Sequence, residues 1–564
     1  MLTHKHITKI IAVLMAAAVC LSLCAVAFSG QIIAAAGDPG ISMAYETALF
    51  DTGSILSVNI RMDEADWNEM LANATAEDYY QCDVEIGGTT FYRVGIRPKG
   101  NTSLTSIAND PTTDRYSFKL EFDHYVDGQT CFGLDKLVLN NSYADATSMK
   151  EALIYDMYQS LGADAPLYNY AKISVNGEYW GVYLALEAVE DSFLLRNYGA
   201  QSGALYKPDS MNMGGGFDAD AMDPGGMGSF SIGSGGADLN YTDDELDSYG
   251  TIWDGEVTST KKSDHKRVVT ALRNISEGSD LEAYMDIDNL LRYMAVHVFS
   301  VNEDSLSGNM AHNYYLYESG GRLNLIPWDY NLALGGMGGS DATSVVNDAI
   351  DNAFSGTTFF DTLLEDETYH SQYYAYLQQL VSAYIEGGGF DAFYARVRSQ
   401  IDALVETDPT AFYSYDEYLT AAETLYQVVR LRGQSIAGQL NGTIPSTAEE
   451  QRESDARIDA SSLDLSVMGS MHTGGTQLPA FDPPQFDGEG PADSGDAQPP
   501  ENPPGPDTDV SGKKPSMGGF PSGASASSAR TASAQNLLLY SAALLTILTA
   551  TLLATLYRRR PRGR

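Results

Sequence analysis

The chain is poor in cysteine and in basic residues, and it lacks two common hydrolase motifs. Each shortage removes a class of function. Of the 4 cysteines in 564 residues, Cys20 and Cys24 lie in an N-terminal apolar run, leaving Cys82 and Cys131. Two cysteines can pair in an oxidising exterior, but they make no disulfide framework. With 34 basic against 75 acidic residues the net charge is −41. Such a surface repels nucleic acid and attracts divalent cations and basic proteins. Neither H-E-x-x-H nor G-x-S-x-G occurs, which argues against a zinc protease or a serine hydrolase. His297 and His312 have no partner at a metal-ligand spacing and read as packing or surface histidines.

What is present begins at the two ends. Lys5 and Lys9 precede a long apolar run and then small residues, the layout of a secretory signal peptide or an N-terminal anchor over 1–36. Val19 and Leu23, before the two cysteines, are bulkier than a lipoprotein cleavage site usually allows. Near the other end, 536–557 reads as a membrane helix, and five arginines follow in the basic tail 558–564. Both ends are therefore expected to face the cytoplasm, with everything between them outside the cell and a single C-terminal span in the membrane.

Between the ends, 43–443 has the composition of a globular domain rich in tyrosine, and its patterning predicts an α+β fold. Alternation marks strands in "CDVEIGGTTFYRVGIRPKG", with a Gly-Gly hairpin, and in "RYSFKLEFD". Asn176-Gly177 predicts a second hairpin. In "SMKEALIYDMYQSLGA", Ser148 and Glu151 read as a capping box and Gly162 as the helix stop. Residues 208–239 form a Gly/Met/Asp-rich insertion, and 444–535 reads as a Pro/Gly/Asp-rich disordered linker to the membrane.

Two stretches carry chemistry. "NEDSLSGNMAHNYYLY" holds Asp304 with Asn309 five residues on, and "LNLIPWD" ends an apolar strand on Asp329. Phosphoryl transfer needs cations for the phosphates, oxygen ligands for the metal, and a carboxylate to orient the accepting hydroxyl. A catalytic aspartate, an asparagine five residues later and a strand-terminal aspartate shortly after match that need. Upstream, "GIRPKGNTSL" is a polar turn suited to covering phosphates. Lys119, in the strand "YSFKLEF", either reaches a cleft or snorkels on a solvated face. Glu151 either pairs with Lys119 or only caps its helix.

Together with "LNNSYADATSMKEAL", "VNGEYWGVYLALEAVE" and "ALYKPDSM", these segments resemble, in order and over most of 46–445, the CotH family of spore-coat-type atypical kinases. The resemblance implies a reduced, two-lobed protein-kinase-like fold acting outside the cytoplasm. It implies transfer of phosphate from ATP, with Mg²⁺ or Mn²⁺, to Ser or Thr of secreted or surface proteins, and the acidic surface favours basic, Ser-containing acceptor segments. Asp304 would be the catalytic aspartate and Asp329 a metal ligand. Lys119 would be the phosphate lysine, Glu187 and Ala188 the hinge beside adenine, and Lys99 and Asn101 neighbours of the phosphates. The metal asparagine is Asn309 by spacing or Asn313 by the match of "HNYYLY". Two other readings use the same residues: an inactive surface-binding protein that kept the fold, and a metal-dependent phosphotransferase acting on an envelope polymer.

Overall fold

The computed structural model describes residues 40–208, 235–308, 311–338, 341–351, 354 and 356–471, which belong to one compact unit. The segments 1–36, 536–557 and 558–564 lie outside the described residues, as do 209–234 of the insertion and Asn309. Among the described residues, no helix is long and apolar enough to cross a membrane.

Seven strands close into a barrel in the order β1-β2-β3-β4-β5-β7-β6. They are β1 (Leu56–Arg61), β2 (Tyr80–Ile86), β3 (Thr89–Lys99), β4 (Ser117–Glu121), β5 (Lys136–Asn140), β6 (Tyr168–Val175) and β7 (Glu178–Glu187). β1 runs parallel to β6, and the other neighbours are antiparallel. Both expected hairpins form, at Gly87-Gly88 with φ of 57° and 81° and at Asn176-Gly177 with φ of 51° and 90°. Positive φ at both central residues matches the twist of the flanking strands, and these residue types tolerate it.

Strand alternation sends Val58, Ile60, Val84, Ile96, Phe118, Leu120, Leu137 and Leu139 inward to one hydrophobic core. A second core lies among the helices and a three-stranded sheet in the order β10-β9-β8. Those strands are β8 (Ala204–Tyr206), β9 (Tyr314–Ser319) and β10 (Arg322–Pro327). The framing helices are α1 (Lys150–Leu161), α2 (Asp191–Tyr198), α3 (Lys262–Ser276), α4 (Ile287–Ser300), α5 (Glu367–Gln379), α6 (Gly389–Glu406) and α7 (Tyr415–Leu440). Val138, Leu184 and Leu186 point out of the barrel into this second core, so the barrel's outer wall is also a wall of the helical half. The α+β expectation holds, with a closed barrel that the strand patterning did not foresee.

Three readings are corrected, and the state of the two cysteines, open in the sequence, is described with them. The chain does not leave the domain at 444: Ile444, Ala460, Leu465 and Met468 are buried, and the Met468 carbonyl accepts the Ala146 N–H at 3.0 Å. The return limb of the insertion also packs, with Ala237 and Leu239 buried and the Ala237 carbonyl accepting the Tyr314 hydroxyl at 2.6 Å. Cys82 and Cys131 are unpaired and buried, and burial pushes both thiols up, so neither is a reactive thiolate. At α1 the cap is not a Ser148–Glu151 box: Met149 is the N-cap, and Asp145 Oδ2 accepts the Lys150 N–H at 3.0 Å. Gly162 ends α1 with φ 70°, as expected.

Candidate active site

One wall of the site is the outer face of β3–β4–β5. Register places Arg97 opposite Lys119, Lys99 opposite Ser117, and Glu121 opposite Lys136. Cross-strand partners project to the same face, so one set of inward apolar residues brings four cations together on the outside. Lys119 and Lys136 both bond to Glu190, in the turn between β7 and α2. Burial pushes the Glu190 carboxyl up, but the two lysine charges outweigh it and hold it below the usual range. Arg97 pairs with Glu77.

Lys99 is different. Its ammonium makes no hydrogen bond or ion pair with a described residue and lies 5.6 Å from the centre of the Trp328 ring. Burial pushes its pKa down, while the charges of Asp329 and Glu151 oppose that shift. Glu151, from α1, accepts from Asn140 Nδ2 at 2.6 Å and from the Tyr155 hydroxyl at 3.3 Å. Burial, reinforced by the charge of Asp329, pushes its carboxyl up to about 8. Glu151 therefore belongs with Lys99; the pairing with Lys119 does not form.

The facing wall is made of two loops. After α4 the chain turns at Val301, with φ 44°, into the segment bearing Asp304; after β10 it turns at Asp329, with φ 60°. Positive φ at a β-branched residue and at an aspartate is uncommon and is held here by surrounding contacts. Asn302 joins the loops: its Oδ1 accepts the Asp304 N–H at 3.3 Å, and its Nδ2 donates to the Asp329 carbonyl at 3.4 Å. Behind them, buried His297 lies 2.7 Å from Ser307 Oγ and 3.0 Å from the Tyr330 hydroxyl. Burial pushes His297 down to about 3, so it is neutral and can donate on one side and accept on the other.

Asp304 is buried, with His312 Nε2 2.8 Å from its Oδ1 and Asn313 Nδ2 donating to its Oδ2 at 3.0 Å. The carboxylate of half-buried Asp329 accepts no hydrogen bond and forms no ion pair among the described residues; only its backbone is held, by Asn302 and by the Tyr155 hydroxyl. Burial raises its pKa, with the Asp304 charge adding to the shift and Lys99, Lys207 and His312 opposing it. An unbonded carboxylate beside the Asp304–Asn313 pair fits a divalent cation. Mg²⁺ is often held by one or two carboxylates plus phosphate oxygens, so it does not require the three-ligand protein cluster that is missing among the described residues.

The structure thus brings together Lys99, Glu151, Asp304, Asn313 and Asp329, with Lys119 alongside but committed to Glu190. Asn101, two residues after Lys99, is exposed at the start of the short helix Thr102–Ala108 without a side-chain capping bond. The Glu187 carboxylate is fully buried and taken up by the Tyr45 hydroxyl at 2.5 Å, Arg196 at 2.7 and 2.9 Å, and the Leu167 N–H at 3.0 Å. The Ala188 carbonyl accepts the Glu190 N–H at 2.9 Å. Any hinge role for this pair is confined to remaining backbone groups. His312, read from sequence as packing or surface, sits on Asp304. Asn302, Glu190 and Lys207 were not singled out, because each meets its partners only through tertiary folding.

The family model for CotH kinase protein matches residues 96–436, from β3 to the last turns of α7. Inner spore coat protein H of Bacillus subtilis (strain 168) is 27% identical over 214 residues, 37% of this chain and 52% of that protein. The chain therefore spans about half the length of this curated relative. The family match covers more than half of the chain and includes both aspartate loops, α1 and the cationic strands: the protein belongs to the CotH kinase family.

Proposed function

We propose that the domain transfers the terminal phosphate of ATP to a Ser or Thr hydroxyl of a protein, with the barrel wall and the helical half acting as the two lobes around the nucleotide. The observation that carries this reading is the pair of unsatisfied charges, Lys99 and Asp329. Arg97, Lys119 and Lys136 are each paired, whereas these two opposite charges make no bond among the described residues. Half-buried charges that act on each other only at a distance, with no direct bond, gain from a ligand that contacts both. A polyphosphate with its cation would satisfy both at once.

In this mechanism Lys99 would bind phosphate oxygens and Asp329, with Asn313, would hold the metal, which would supply charge neutralisation when bound. Asp304, held by Asn313 and His312, accepts the proton of the attacking hydroxyl. The new bond joins that oxygen to the terminal phosphorus, and ADP leaves with the bridging oxygen. Asn302 and the His297–Tyr330 contact keep the two aspartate loops in register. Lys119 acts through Glu190, which it shares with Lys136, and so shapes the wall beside the phosphates. The sequence of the two ends, and the spore-coat name of the relative, support an anchored domain acting outside the cytoplasm.

The test is a paired assay on the purified chain: ATP binding in Mg²⁺ or Mn²⁺, and transfer of labelled phosphate to itself or to basic Ser-containing peptides. Metal-dependent binding followed by label on Ser or Thr is expected. A folded protein that binds no nucleotide overturns the reading. Binding without transfer to any protein acceptor, but with transfer to an envelope polymer, moves the activity to that substrate.

A further inference from the structure

We propose that the segment Leu465–Met471 is a positioning clasp for this site, fixing where Asp329 stands relative to Glu151 and Lys99. The inference rests on the phosphate-transfer reading above and adds to it a part of the chain beyond the family match, which stops at 436. The segment reaches two of the loops that enter the site. On one side the Met468 carbonyl accepts the Ala146 N–H at 3.0 Å, and the Gly469 carbonyl accepts from Lys150 Nζ at 3.4 Å. Lys150 opens α1 and immediately precedes Glu151. On the other side the Met471 N–H donates to the Gly336 carbonyl at 3.0 Å, in the loop that follows Asp329. That loop is itself tied down: the Leu334 N–H donates to the Ser300 carbonyl at 2.8 Å, at the end of α4 before Asp304, and Asn331 Nδ2 donates to the Tyr143 carbonyl at 2.8 Å. The bonds made between Met468 and Met471 thus join the approach to Glu151 with the exit from Asp329.

Packing and charge both hold the segment in place. Leu465, Met468 and Lys150 are buried. Burial pushes the Lys150 pKa down and the charge of Asp145 opposes that shift, while the Gly469 carbonyl accepts from the ammonium. Withdrawing an acceptor from a buried ammonium costs more than from an exposed one. At Gly469 φ is 81°, and a Cβ there would lie 2.7 Å from the Ala144 carbonyl oxygen and 2.9 Å from the Ala146 nitrogen. Both are main-chain atoms, so only glycine lets the segment lie this close. A displacement of about 1 Å at a reacting group can cost on the order of a hundredfold in rate. The clasp acts through the loops it joins rather than by contact with substrate.

The experiment uses the full chain. Gly469→Ala is expected to lower kcat for transfer by about tenfold or more and to raise the Mg²⁺ concentration needed for half-maximal rate. Val58→Ala is the control, a barrel-core change on β1, which neighbours β2 and β6 rather than the strands of the site. It should lower the melting temperature and leave kcat and the Mg²⁺ requirement unchanged. Coupling is reciprocal, so in the unaltered chain Mg²⁺–ATP should slow amide hydrogen exchange at Ala146 and Met471 by about fivefold or more, read by peptide mass. This arm holds even if Gly469→Ala folds poorly. In a parent that binds ATP and transfers phosphate, three results each overturn the clasp and leave the phosphate-transfer reading standing. They are parental kcat in Gly469→Ala, an equal loss of kcat in Val58→Ala, and equal exchange at Met471 with and without Mg²⁺–ATP. If the parent binds no ATP, both readings fall.

Discussion

Around Glu190 one carboxylate is held by two lysines, Lys119 and Lys136, whereas around Lys99 one lysine faces two carboxylates, Glu151 and Asp329. Both groups use the same residue types on or beside the same outer barrel wall, yet their carboxyls shift in opposite directions. Glu190 is held low by its lysines; Glu151 is pushed up by burial and by Asp329, and Asp329 by burial and by Asp304. The closed group has satisfied its charges internally and serves as structure. The open group leaves a cation and an anion without direct partners among the described residues, so it has free energy to gain from a ligand. On the proposed reading, a lysine's place in a strand does not make it a phosphate lysine; what favours Lys99 is that its ammonium has no direct ion pair among the described residues.

The largest expected effect lies next to the open group. Asp304→Asn should retain ATP–metal affinity within about twofold while transfer falls by on the order of 10²–10⁴, the range for a positioned base. Parental transfer rates in this variant would remove Asp304 from the chemistry.

Next, Lys99→Ala and Lys119→Ala separate the two groups. Lys99→Ala should weaken ATP by about tenfold to a hundredfold, in line with a charged hydrogen bond, and Lys119→Ala by less than about threefold. A reversed order, measured by calorimetric titration, would invert the comparison and return the phosphate role to Lys119.

Glu190→Gln should lower stability by about 2 kcal/mol, between an exposed and a fully buried pair, with little change in ATP affinity. The check is denaturant unfolding beside the binding titration. Unchanged stability would mean that the closed group is ornamental.

The two groups also carry opposite pH dependence. Glu151 has a folded value of about 8 against 4.5, so its contribution is present below about 4.5 and lost as pH rises through about 8. Glu190 has a lowered folded value, so its contribution is present above the ordinary glutamate range and lost as pH falls through that value. In ligand-free, chelated protein, Glu151→Gln should therefore melt above the parent near pH 8.5 and converge on it near pH 5. Glu190→Gln should melt below the parent at pH 7. Equal melting curves for Glu151→Gln and the parent at both pH values would show that Glu151 is not strained by burial. The smallest effect belongs to Asn101→Ala: as an exposed residue outside both groups, it should change stability by no more than about 0.5 kcal/mol and affinity by less than about twofold.

Much of the local structure was legible in the sequence. Gly87-Gly88 and Asn176-Gly177 turn where expected because the requirement for positive φ is met by the residues themselves. Gly162 ends α1 for the same reason. Asp304 and Asp329 do come together, and Asn302 holds their loops in mutual register. The failures share a cause. The Ser148–Glu151 box satisfied a spacing rule, but Asp145 supplies the cap and leaves Glu151 to face the cleft. The domain was ended at 444 on composition, whereas Leu465 and Met468 supply apolar groups that the helical half buries.

Sequence by itself determined the turns, the inward face of each strand, the strongly acidic character and the family, because these depend on neighbouring residues, composition and segment order. Tertiary structure alone decided which lysine lacks a direct ion pair among the described residues. Lys119 and Glu190 are 71 positions apart and meet because the barrel closes, placing β4 beside β5, and β5 beside the end of β7. The same closure brings Lys99, whose strand lies across β4 from Lys136, within the influence of Asp329 and Glu151. Charge pairing falls off over a few ångströms in a half-buried cleft, so strand order and register, which no local pattern encodes, set the division of labour between two chemically identical side chains.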